Sequence, residues 1–347
     1  MAELHAVIMA GGYGERFWPL STKNKPKQLL DLIGGEPLIY QAVERIKSII
    51  NYDNILVITN LDLLEQTKSV LPQIPADNII GEPIGRDTAA AIACASAIIK
   101  YKNPEAILAI LTADQIIKDE ILFCDTLCRA VDTASNEDVL VTIGIRPTFS
   151  ATNFGYIQVD DIYEDKDEII VYKAKSFVEK PDAATATEYL KKGSYFWNSG
   201  MFIWSVKSLE KGFKTHSPAL YEFMSSMYEY IGSDKLIEGM NKLYPYVEKI
   251  SIDYALMEKA NNILMVCGEF LWDDVGSWPA LENHFDQDHN KNTVIGDAQL
   301  LESSGNIIYS KNSLVAMIGL DDVIVVEHDG VILICKKDQS QDIKKLL

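Results

Sequence analysis

A glycine-rich segment near the amino terminus carries residue types that suit phosphate binding. Residues 10–16 read AGGYGER and directly follow the apolar run at residues 7–9. Glycines lack the Cβ atoms that would hold a polyphosphate away from backbone N–H groups, and they permit the positive φ angles of a tight anion-binding turn. Arg16 and Lys27 add side-chain cations. The pattern predicts a polyphosphate-binding loop.

This segment matches neither of the two common nucleotide-binding motifs. The fingerprint G-x-G-x-x-G, started at Gly12, would need a third glycine where Phe17 stands, and the G-K-[ST] of a P-loop is absent. A turn that is rich in glycine for steric reasons alone stays open as an alternative. The cations that follow between residues 16 and 27 favour a phosphate site.

Asp114 is a candidate ligand for a hard divalent cation. It follows the apolar, strand-like run at residues 107–111. A carboxylate on a loop at a strand end suits Mg²⁺, which prefers one or two carboxylates together with substrate phosphates and water. A turn-capping aspartate is the competing interpretation, and the isolated residue does not decide between the two.

Glu179 and Lys180 follow the β-prone residues 176–178 and suit a sugar phosphate. An ionised carboxylate accepts hydrogen bonds from two adjacent hydroxyls, and a lysine neutralises a phosphate. Asn198 adds a donor and an acceptor beside the aromatic Trp197. An exposed ion pair of little energetic consequence and an ordinary aromatic core remain the alternatives.

Composition narrows the class of partner. The formal net charge of −18 at pH 7 disfavours nucleic acid, whose recognition needs a basic surface. The same charge would repel a nucleoside triphosphate unless local cations or Mg²⁺ intervene. Five cysteines without a C-x-x-C pair fit a reducing compartment. Because there is no membrane-length apolar stretch and no basic leader, we expect a cytoplasmic protein without a membrane partner.

The first 285 residues alternate apolar strand-like runs with amphipathic segments. Strands are predicted at residues 7–9, 55–58, 107–111 and 139–143, and helices at 38–50, 61–71, 89–101 and 121–134. This alternation is typical of an α/β fold with a doubly wound, mostly parallel sheet. Such sheets bind ligands beyond the carboxyl ends of their strands, where the glycine-rich segment and Asp114 both fall.

The last part of the chain has a different pattern. Short β-prone runs at residues 307–309, 314–318, 323–326 and 331–335 are separated by Gly, Asp, Asn or Ser. This spacing predicts a small all-β domain. Because polar residues cluster at 286–292 and 347 residues exceed the usual size of one core, we predict domains at 1–285 and 286–347.

Seven segments, in one order along nearly the whole chain, carry a resemblance to a known family. They are residues 5–30, 82–89 (EPIGRDTA), 112–114 (TAD), 177–181 (FVEKP), 197–202 (WNSGMF), 251–255 (SIDYA) and 272–278 (WDDVGSW). The chain resembles the sugar-nucleotide pyrophosphorylases, and within them the GDP-mannose pyrophosphorylase branch. The resemblance implies a Rossmann-like nucleotidyltransferase domain at 1–285 and a short β-helix-like domain at 286–347. Longer bifunctional relatives add a phosphomannose isomerase domain, for which we expect this chain to be too short.

The resemblance also implies an activity. GTP and mannose 1-phosphate would give GDP-mannose and pyrophosphate, with Mg²⁺ assisting an in-line attack of the sugar phosphate on the α-phosphorus. Arg16, Lys27, Asp114 and Asp274 are then the catalytic residues, and Asp114 and Asp274 bind the metal. Asp273 takes the place of Asp274 if the register differs by one residue.

Binding residues follow from the same resemblance. The nucleotide-binding set comprises Ala10, Gly11, Gly12, Gly14, Glu82, Gly85, Asp87 and Thr88. The sugar-binding set comprises Gly155, Glu179, Lys180 and Asn198, with Glu179 and Asn198 on mannose hydroxyls and Lys180 on the phosphate. Relatives commonly have His, Asn and Pro where this chain has Gln115, Asp87 and Ala90. An acidic Asp87 accepts hydrogen bonds from guanine but cannot donate one to its carbonyl.

Two other functions stay open at this point. One is a pyrophosphorylase for another hexose 1-phosphate or nucleotide, and the other is a non-catalytic sensor of nucleotide sugars. A homodimer is expected because symmetric dimers are the commonest soluble assembly.

Overall fold

A computed structural model describes residues 3–12, 14–136, 138–232 and 235–347. The chain forms two compact units. Unit 1 contains the chain up to Gly11, Ala42–Ala113 and Ile117–Trp272, and unit 2 contains Gly12–Gln41, Asp114–Ile116 and Asp273–Leu347. These units are not consecutive in sequence, so the predicted domain boundary at residue 286 stays a prediction.

The large sheet lies in unit 1. The strands before residue 290 are β1 (Leu4–Ala10), β2 (Ile55–Asn60), β3 (Ile79–Glu82), β4 (Ile107–Thr112), β5 (Ile116–Ile117), β6 (Leu140–Ile145), β7 (Tyr156–Lys166), β8 (Ile169–Val178), β9 (Tyr195–Ser205), β10 (Ile263–Gly268) and β11 (Trp272–Asp273). Within the described residues, nine of them form one sheet in the order β3-β2-β1-β4-β9-β6-β10-β8-β7. The short β5 and β11 lie where the chain passes from one unit to the other.

Strand direction confirms the α/β prediction. Strands β3, β2, β1 and β4 are parallel neighbours, and β6 is parallel to β10. Strand β9 runs antiparallel between β4 and β6. Strands β2 and β6 are buried along their whole length, as expected for parallel strands that are covered on both faces.

Eight α-helices are assigned in the part of the chain that the structure describes. They are α1 (Leu38–Arg45), α2 (Leu64–Val70), α3 (Asp87–Lys102), α4 (Glu120–Asn136), α5 (Ala183–Lys192), α6 (Val206–His216), α7 (Pro218–Ser226) and α8 (Leu236–Leu243). Helix α3 is buried from Ala89 to Ile99 and packs with Val7, Ile110 and Trp204 in the main core. Across the described residues, no helix combines the length and the apolar character that crossing a bilayer requires.

Helix α1 is shorter than the predicted 38–50. After Arg45 the backbone tightens, because the Ile46 N–H bonds Val43 O at 3.3 Å and the Ile49 N–H bonds Ile46 O at 3.0 Å. These i→i+3 bonds end the regular helix while keeping the apolar side chains inside.

Unit 2 contains the carboxyl-terminal sheet. Its strands are β12 (Thr293–Leu301), β13 (Ile307–Ile318), β14 (Val323–His328) and β15 (Val331–Lys336). The first three are parallel neighbours, and β15 closes an antiparallel hairpin. A 3₁₀ helix follows at Lys337–Leu346. The predicted small all-β domain is confirmed, although the runs 307–309 and 314–318 form one strand rather than two.

Stacked polar turns stabilise this sheet. The Asn306 side-chain amide donates to Asn292 Oδ1 at 3.0 Å and to Leu320 O at 2.8 Å. Asn292 in turn donates to Ser303 O at 2.9 Å. Both asparagines are buried, so their hydrogen bonds satisfy groups that water cannot reach. This arrangement of parallel strands and stacked turns is β-helix-like.

Candidate functional site

The glycine-rich segment enters unit 2 at Gly12. Gly14 has φ +60° and precedes a 3₁₀ helix at Glu15–Phe17. A Cβ at Gly14 would clash with Lys27 Cβ and would lie 2.8 Å from the Lys27 backbone N. Glycine is therefore required both by the left-handed backbone and by the close approach of Lys27. Tyr13, within the predicted loop, lies outside the described residues.

Two cations and two carboxylates are brought together in unit 2. Arg16 Nη1 donates to Gly276 O at 3.1 Å. Lys27 Nζ donates to Asp114 Oδ2 at 3.1 Å and to the backbone carbonyl of Asp274. The Lys27 side chain is 7% exposed and that of Asp114 is 44% exposed. One buried ammonium group thus joins two acidic residues that are 160 positions apart in sequence.

These residues line a common cavity of about 570 Å³. All four residues that were predicted to be catalytic lie on its wall, together with Gly14 and Lys344; the four are Arg16, Lys27, Asp114 and Asp274. The wall therefore carries both signs of charge. Cations on it can pair with phosphate oxygens, and the carboxylates can hold a divalent ion.

The electrostatics of this cavity favour a bound cation. The pKa of Asp274 is raised to about 6, mainly by burial and also by the charges of Asp273 and Asp114, while Lys27 and Arg16 oppose the shift. A carboxylate destabilised in this way gains from a divalent ion. Within the described ranges, no group of three or more His, Cys, Asp or Glu residues could hold a metal. An ion here would therefore take further oxygen ligands from phosphate and water, which fits Mg²⁺.

Asp273 is already engaged in holding its own turn. It accepts hydrogen bonds from the Val275 N–H at 2.7 Å and from Asn283 Nδ2 at 3.1 Å, and it pairs with His284 Nε2 at 3.0 Å. Burial alone would raise the pKa of Asp273, but the hydrogen bonds from His284 and Asn283 lower it below its ordinary value. The neighbouring Asp274 is the carboxylate that lines the cavity.

The start of the glycine-rich segment belongs to unit 1. Ala10 ends β1, and Asn60 Nδ2 donates to Gly11 O at 3.0 Å. A Cβ at Gly11 would lie 3.5 Å from Glu82 Oε2. Glu82 is 6% exposed, and within the described residues its Oε1 has no hydrogen-bond partner. Burial raises the pKa of Glu82 to about 7, with a contribution from Asp87. A side-chain hydrogen bond with Tyr244 opposes this shift. Oε1 is therefore the buried Glu82 atom without a hydrogen-bond partner in the described part of the chain.

Gly85, Asp87 and Thr88 shape the start of helix α3. Asp87 has φ +65°, a region that Asp and Asn enter more readily than other non-glycine residues. Its Oδ1 accepts from the Thr88 N–H at 2.8 Å. Thr88 Oγ1 accepts from the Ile252 N–H at 2.9 Å. Gly85 is exposed, and a Cβ there would meet open space.

The four predicted sugar-binding residues are neighbours in unit 1. The Asn198 N–H donates to Gly155 O at 2.8 Å, and a Cβ at Gly155 would clash with Glu179 Oε2. Lys180 Nζ donates to Glu179 Oε1 at 2.6 Å. The Glu179 side chain is 16% exposed, and that of Lys180 is 61% exposed. A shielded carboxylate, an amide and a reachable ammonium group therefore lie together.

Asp253 contacts one of the predicted sugar-binding residues, and the sequence interpretation did not assign it a role. Its Oδ1 accepts from Asn198 Nδ2 at 2.8 Å, which fixes the orientation of that amide. Burial, together with the charge of Glu179, raises the pKa of Asp253 to about 6. Ile252, the preceding residue, bonds Thr88. The segment at 251–255 thus connects the start of α3 with the sugar-binding group, and its presence among the seven segments was the available signal.

Two family models match this chain, one on each side of residue 292. Residues 5–291 match the family described as Nucleotidyl transferase, and residues 296–347 match the MannoseP isomerase/GMP-like beta-helix domain. The mannose-1-phosphate guanylyltransferase RfbM of Salmonella typhimurium is 35% identical, covering 98% of this chain and 71% of that protein. A mannose-1-phosphate guanylyltransferase of Escherichia coli is 32% identical, covering 98% and 74%.

A solved structure shares the fold over nearly the full length. The crystal structure described as mannose-1-phosphate geranyltransferase from Thermus thermophilus has a TM-score of 0.88 and 32% identity, and the match covers 99% of this chain and 98% of that one. A mannose-6-phosphate isomerase structure from Helicobacter pylori matches with a TM-score of 0.62 at 24% identity, which shows a common fold alone.

Proposed function

This chain belongs to the mannose-1-phosphate guanylyltransferase family of nucleotidyltransferases, and from that premise we propose that it joins GTP to mannose 1-phosphate, giving GDP-mannose and pyrophosphate. The observation that supports the proposal best is the cavity in which Lys27 joins Asp114 and Asp274 beside Arg16. Such a set of charges suits a reaction in which phosphates bind, react and leave.

The reaction needs little proton chemistry. A phosphate monoester has a second pKa of about 6, so mannose 1-phosphate is mainly a dianion at neutral pH. Its oxygen attacks the α-phosphorus of GTP, a new P–O bond forms, and the bond from the α-phosphorus to the bridging oxygen of the β-phosphate breaks. Pyrophosphate leaves with that oxygen. Neither a general base nor a covalent enzyme intermediate is required.

The protein then contributes position and charge. In unit 2, Arg16 and the backbone at Gly12 and Gly14 would bind the β- and γ-phosphates. Lys27 would stabilise the charge that grows at the α-phosphoryl group. Its low exposure supports this role, because an ammonium group held away from water acts more strongly on a charge nearby.

We also propose Mg²⁺ as the cofactor, held by Asp114 and Asp274. The raised pKa of Asp274 and the half-exposed side chain of Asp114 support that assignment. When bound, Mg²⁺ supplies positive charge to phosphate oxygens. Lys27, which bonds the Asp114 carboxylate and the Asp274 backbone carbonyl, would keep both residues at the cavity before the ion arrives.

Selectivity would come from the residues of unit 1. Glu82, whose buried Oε1 has no partner in the described part of the chain, would accept from the N1–H and the exocyclic amine of guanine. Thr88 and the backbone at Gly85 and Asp87 would line the base. The proposed mannose contacts are those of the sugar-binding group, namely Gly155, Glu179, Lys180 and Asn198.

We further propose a cytoplasmic homodimer. All five cysteines are free thiols, which suits a reducing compartment. On β15 the side chains of Ile332 and Ile334 are each 66% exposed, an apolar surface that a second copy would cover. Sedimentation of the purified protein should give twice the chain mass, and the double substitution Ile332→Lys and Ile334→Lys should give the monomer.

The direct test is a panel of nucleotides and sugar phosphates. Pyrophosphate release with Mg²⁺ should be fastest for GTP with mannose 1-phosphate, and the other product should be GDP-mannose. Faster release with glucose 1-phosphate, UTP or dTTP would assign the protein to a different pyrophosphorylase activity. Binding of GDP-mannose without any release of pyrophosphate would instead indicate a sensor.

A further inference from the structure

The 3₁₀ helix at Lys337–Leu346 brings a cation to the catalytic cavity that the proposed reaction does not yet use. Lys344 lines the same cavity as Arg16, Lys27, Asp114 and Asp274. It lies three residues before Leu347, and no motif in the sequence marks it. Its place in the cavity comes from packing alone.

That packing is specific. Ile343 is 3% exposed and belongs to the same apolar core as Phe17 and Trp278. The 3₁₀ helix at Glu15–Phe17, which contains Arg16, contacts the 3₁₀ helix at Lys337–Leu346, which contains Lys344. The position of Lys344 is therefore tied to the core of unit 2 and does not depend on a free chain end.

A second contact fixes the helix against the cavity wall. Gln341 Nε2 donates to Ser277 Oγ at 3.3 Å. Ser277 follows Gly276, whose carbonyl accepts from Arg16 Nη1 at 3.1 Å. At the start of the same helix, Lys337 Nζ pairs with Glu282 Oε1 at 2.7 Å. These contacts hold the helix against Ser277 and Glu282, and the helix also contacts the 3₁₀ helix that contains Arg16.

Lys344 and the neighbouring Lys345 differ in their ion pairs. Lys345 Nζ pairs with Asp342 Oδ1 at 2.8 Å. Among the described residues Lys344 Nζ has no ion-pair partner, and its side chain is exposed. On the cavity wall, Asp114 is already paired with Lys27. An anion that enters the cavity can therefore pair with Lys344, which has three N–H donors to offer.

We propose that Lys344 binds the distal phosphates of the nucleoside triphosphate and the pyrophosphate that leaves. This inference rests on the proposed function and adds a substrate-binding residue from the carboxyl-terminal segment. Lys344 lies with Arg16, which we assign to the β- and γ-phosphates, whereas Lys27 bonds the two proposed metal ligands. Lys344 consequently acts on binding of the triphosphate and of pyrophosphate rather than on the reacting phosphorus.

The matched variants are Lys344→Ala and Lys345→Ala, with Lys344→Arg to restore the charge. Loss of one charge-assisted hydrogen bond at an exposed position should raise KM for GTP, and KM for pyrophosphate in the reverse reaction, by about tenfold in Lys344→Ala. KM for mannose 1-phosphate and the melting temperature should stay at the wild-type values. Lys345→Ala should match the wild type, and Lys344→Arg should recover most of the loss.

Two results would overturn the inference. In one, Lys344→Ala and Lys345→Ala have equal KM values for GTP and pyrophosphate. In the other, KM for mannose 1-phosphate rises as much as KM for GTP. Calorimetric titration with GTP alone separates this inference from the proposed function. If the wild type releases no pyrophosphate, the proposed reaction fails, while weaker GTP binding by Lys344→Ala than by Lys345→Ala would still support a phosphate-binding Lys344.

Discussion

Replacing Lys27 by methionine removes one charge from the cavity while keeping a side chain of similar length. Lys27 Nζ lies 3.1 Å from Asp114 Oδ2, and its side chain is 7% exposed. At an effective dielectric constant of about 20, two unit charges at that distance attract by about 5 kcal/mol before desolvation is counted. Burying the ammonium group offsets much of this attraction, and water screens the half-exposed Asp114.

The expected loss of folding stability is therefore small, about 1 kcal/mol. The expected loss of rate is larger, because removal of one donor to a developing transition-state charge lowers kcat by about 10²–10³, or about 3–4 kcal/mol. Since the two effects differ in size, they can be separated by measuring kcat for pyrophosphate release and the melting temperature on the same samples.

Lys25→Met is the matched control for this substitution. Lys25 lies two residues earlier and is exposed, and its backbone N–H and carbonyl make the local bonds to Thr22. It should keep the wild-type kcat and melting temperature. An unchanged kcat in Lys27→Met would refute the assignment of Lys27. If the melting temperature of Lys27→Met also falls strongly, the loss of kcat would indicate a structural role for Lys27.

Three further predictions follow from the same geometry. Gly14→Ala should lower the free energy of unfolding by about 1–2 kcal/mol because of the left-handed backbone alone. Gly12→Ala, whose Cβ meets open space, should keep the wild-type melting temperature but raise KM for GTP. Equal melting temperatures of the two variants would contradict the requirement for glycine at position 14. Burial raises the pKa of Glu82 from 4.5 to about 7. Between these pH values the folded chain keeps a proton that the unfolded chain loses, so the free energy of unfolding falls as the pH rises from 4.5 to about 7. Glu82→Gln should thus raise the melting temperature at about pH 8, with a gain that fades by about pH 5, and a gain independent of pH would rule out this titration. Chelation by EDTA should abolish turnover, and added Mg²⁺ should restore it in the wild type but not in Asp274→Asn. Full activity in EDTA would contradict the proposed role of Mg²⁺.

The elements that sequence predicts well are those with strong local patterns. The buried runs that became β1, β2 and β4 are apolar throughout, and α3 and α4 extend only a few residues beyond the predicted 89–101 and 121–134. The pairing of strands that are distant in sequence cannot be predicted from such local patterns. The antiparallel insertion of β9 between β4 and β6 depends on contacts across the chain, and no local pattern encodes it.

Strand β13 shows why local turn signals can mislead. Residues 310–313 read SKNS and indicate a turn. In the structure the strand continues from Ile307 to Ile318, with a register shift against β12 between Gly296 and Ala298. Ser310 Oγ donates to Ser313 O at 2.8 Å. A bulge of this kind accommodates polar residues within a strand, and only the neighbouring strand reveals it.

The candidate site also has residues that the sequence predicts and contacts that only the tertiary fold determines. Residue types and the family resemblance identify Arg16, Lys27, Asp114 and Asp274, but the bonds of Lys27 to Asp114 and Asp274 depend on the tertiary fold. Lys344 reaches the same cavity through the packing of Ile343, which no pattern in the sequence indicates.

Exchange of labelled pyrophosphate into GTP is the measurement that tests direct nucleotidyl transfer most closely. With the purified protein, Mg²⁺ and GTP, label should enter GTP only when mannose 1-phosphate is also present, because the α-phosphoryl group passes straight to the sugar phosphate and back. Exchange without the sugar phosphate would indicate a covalent guanylyl enzyme and contradict the direct attack. No exchange with the sugar phosphate present would contradict nucleotidyl transfer itself.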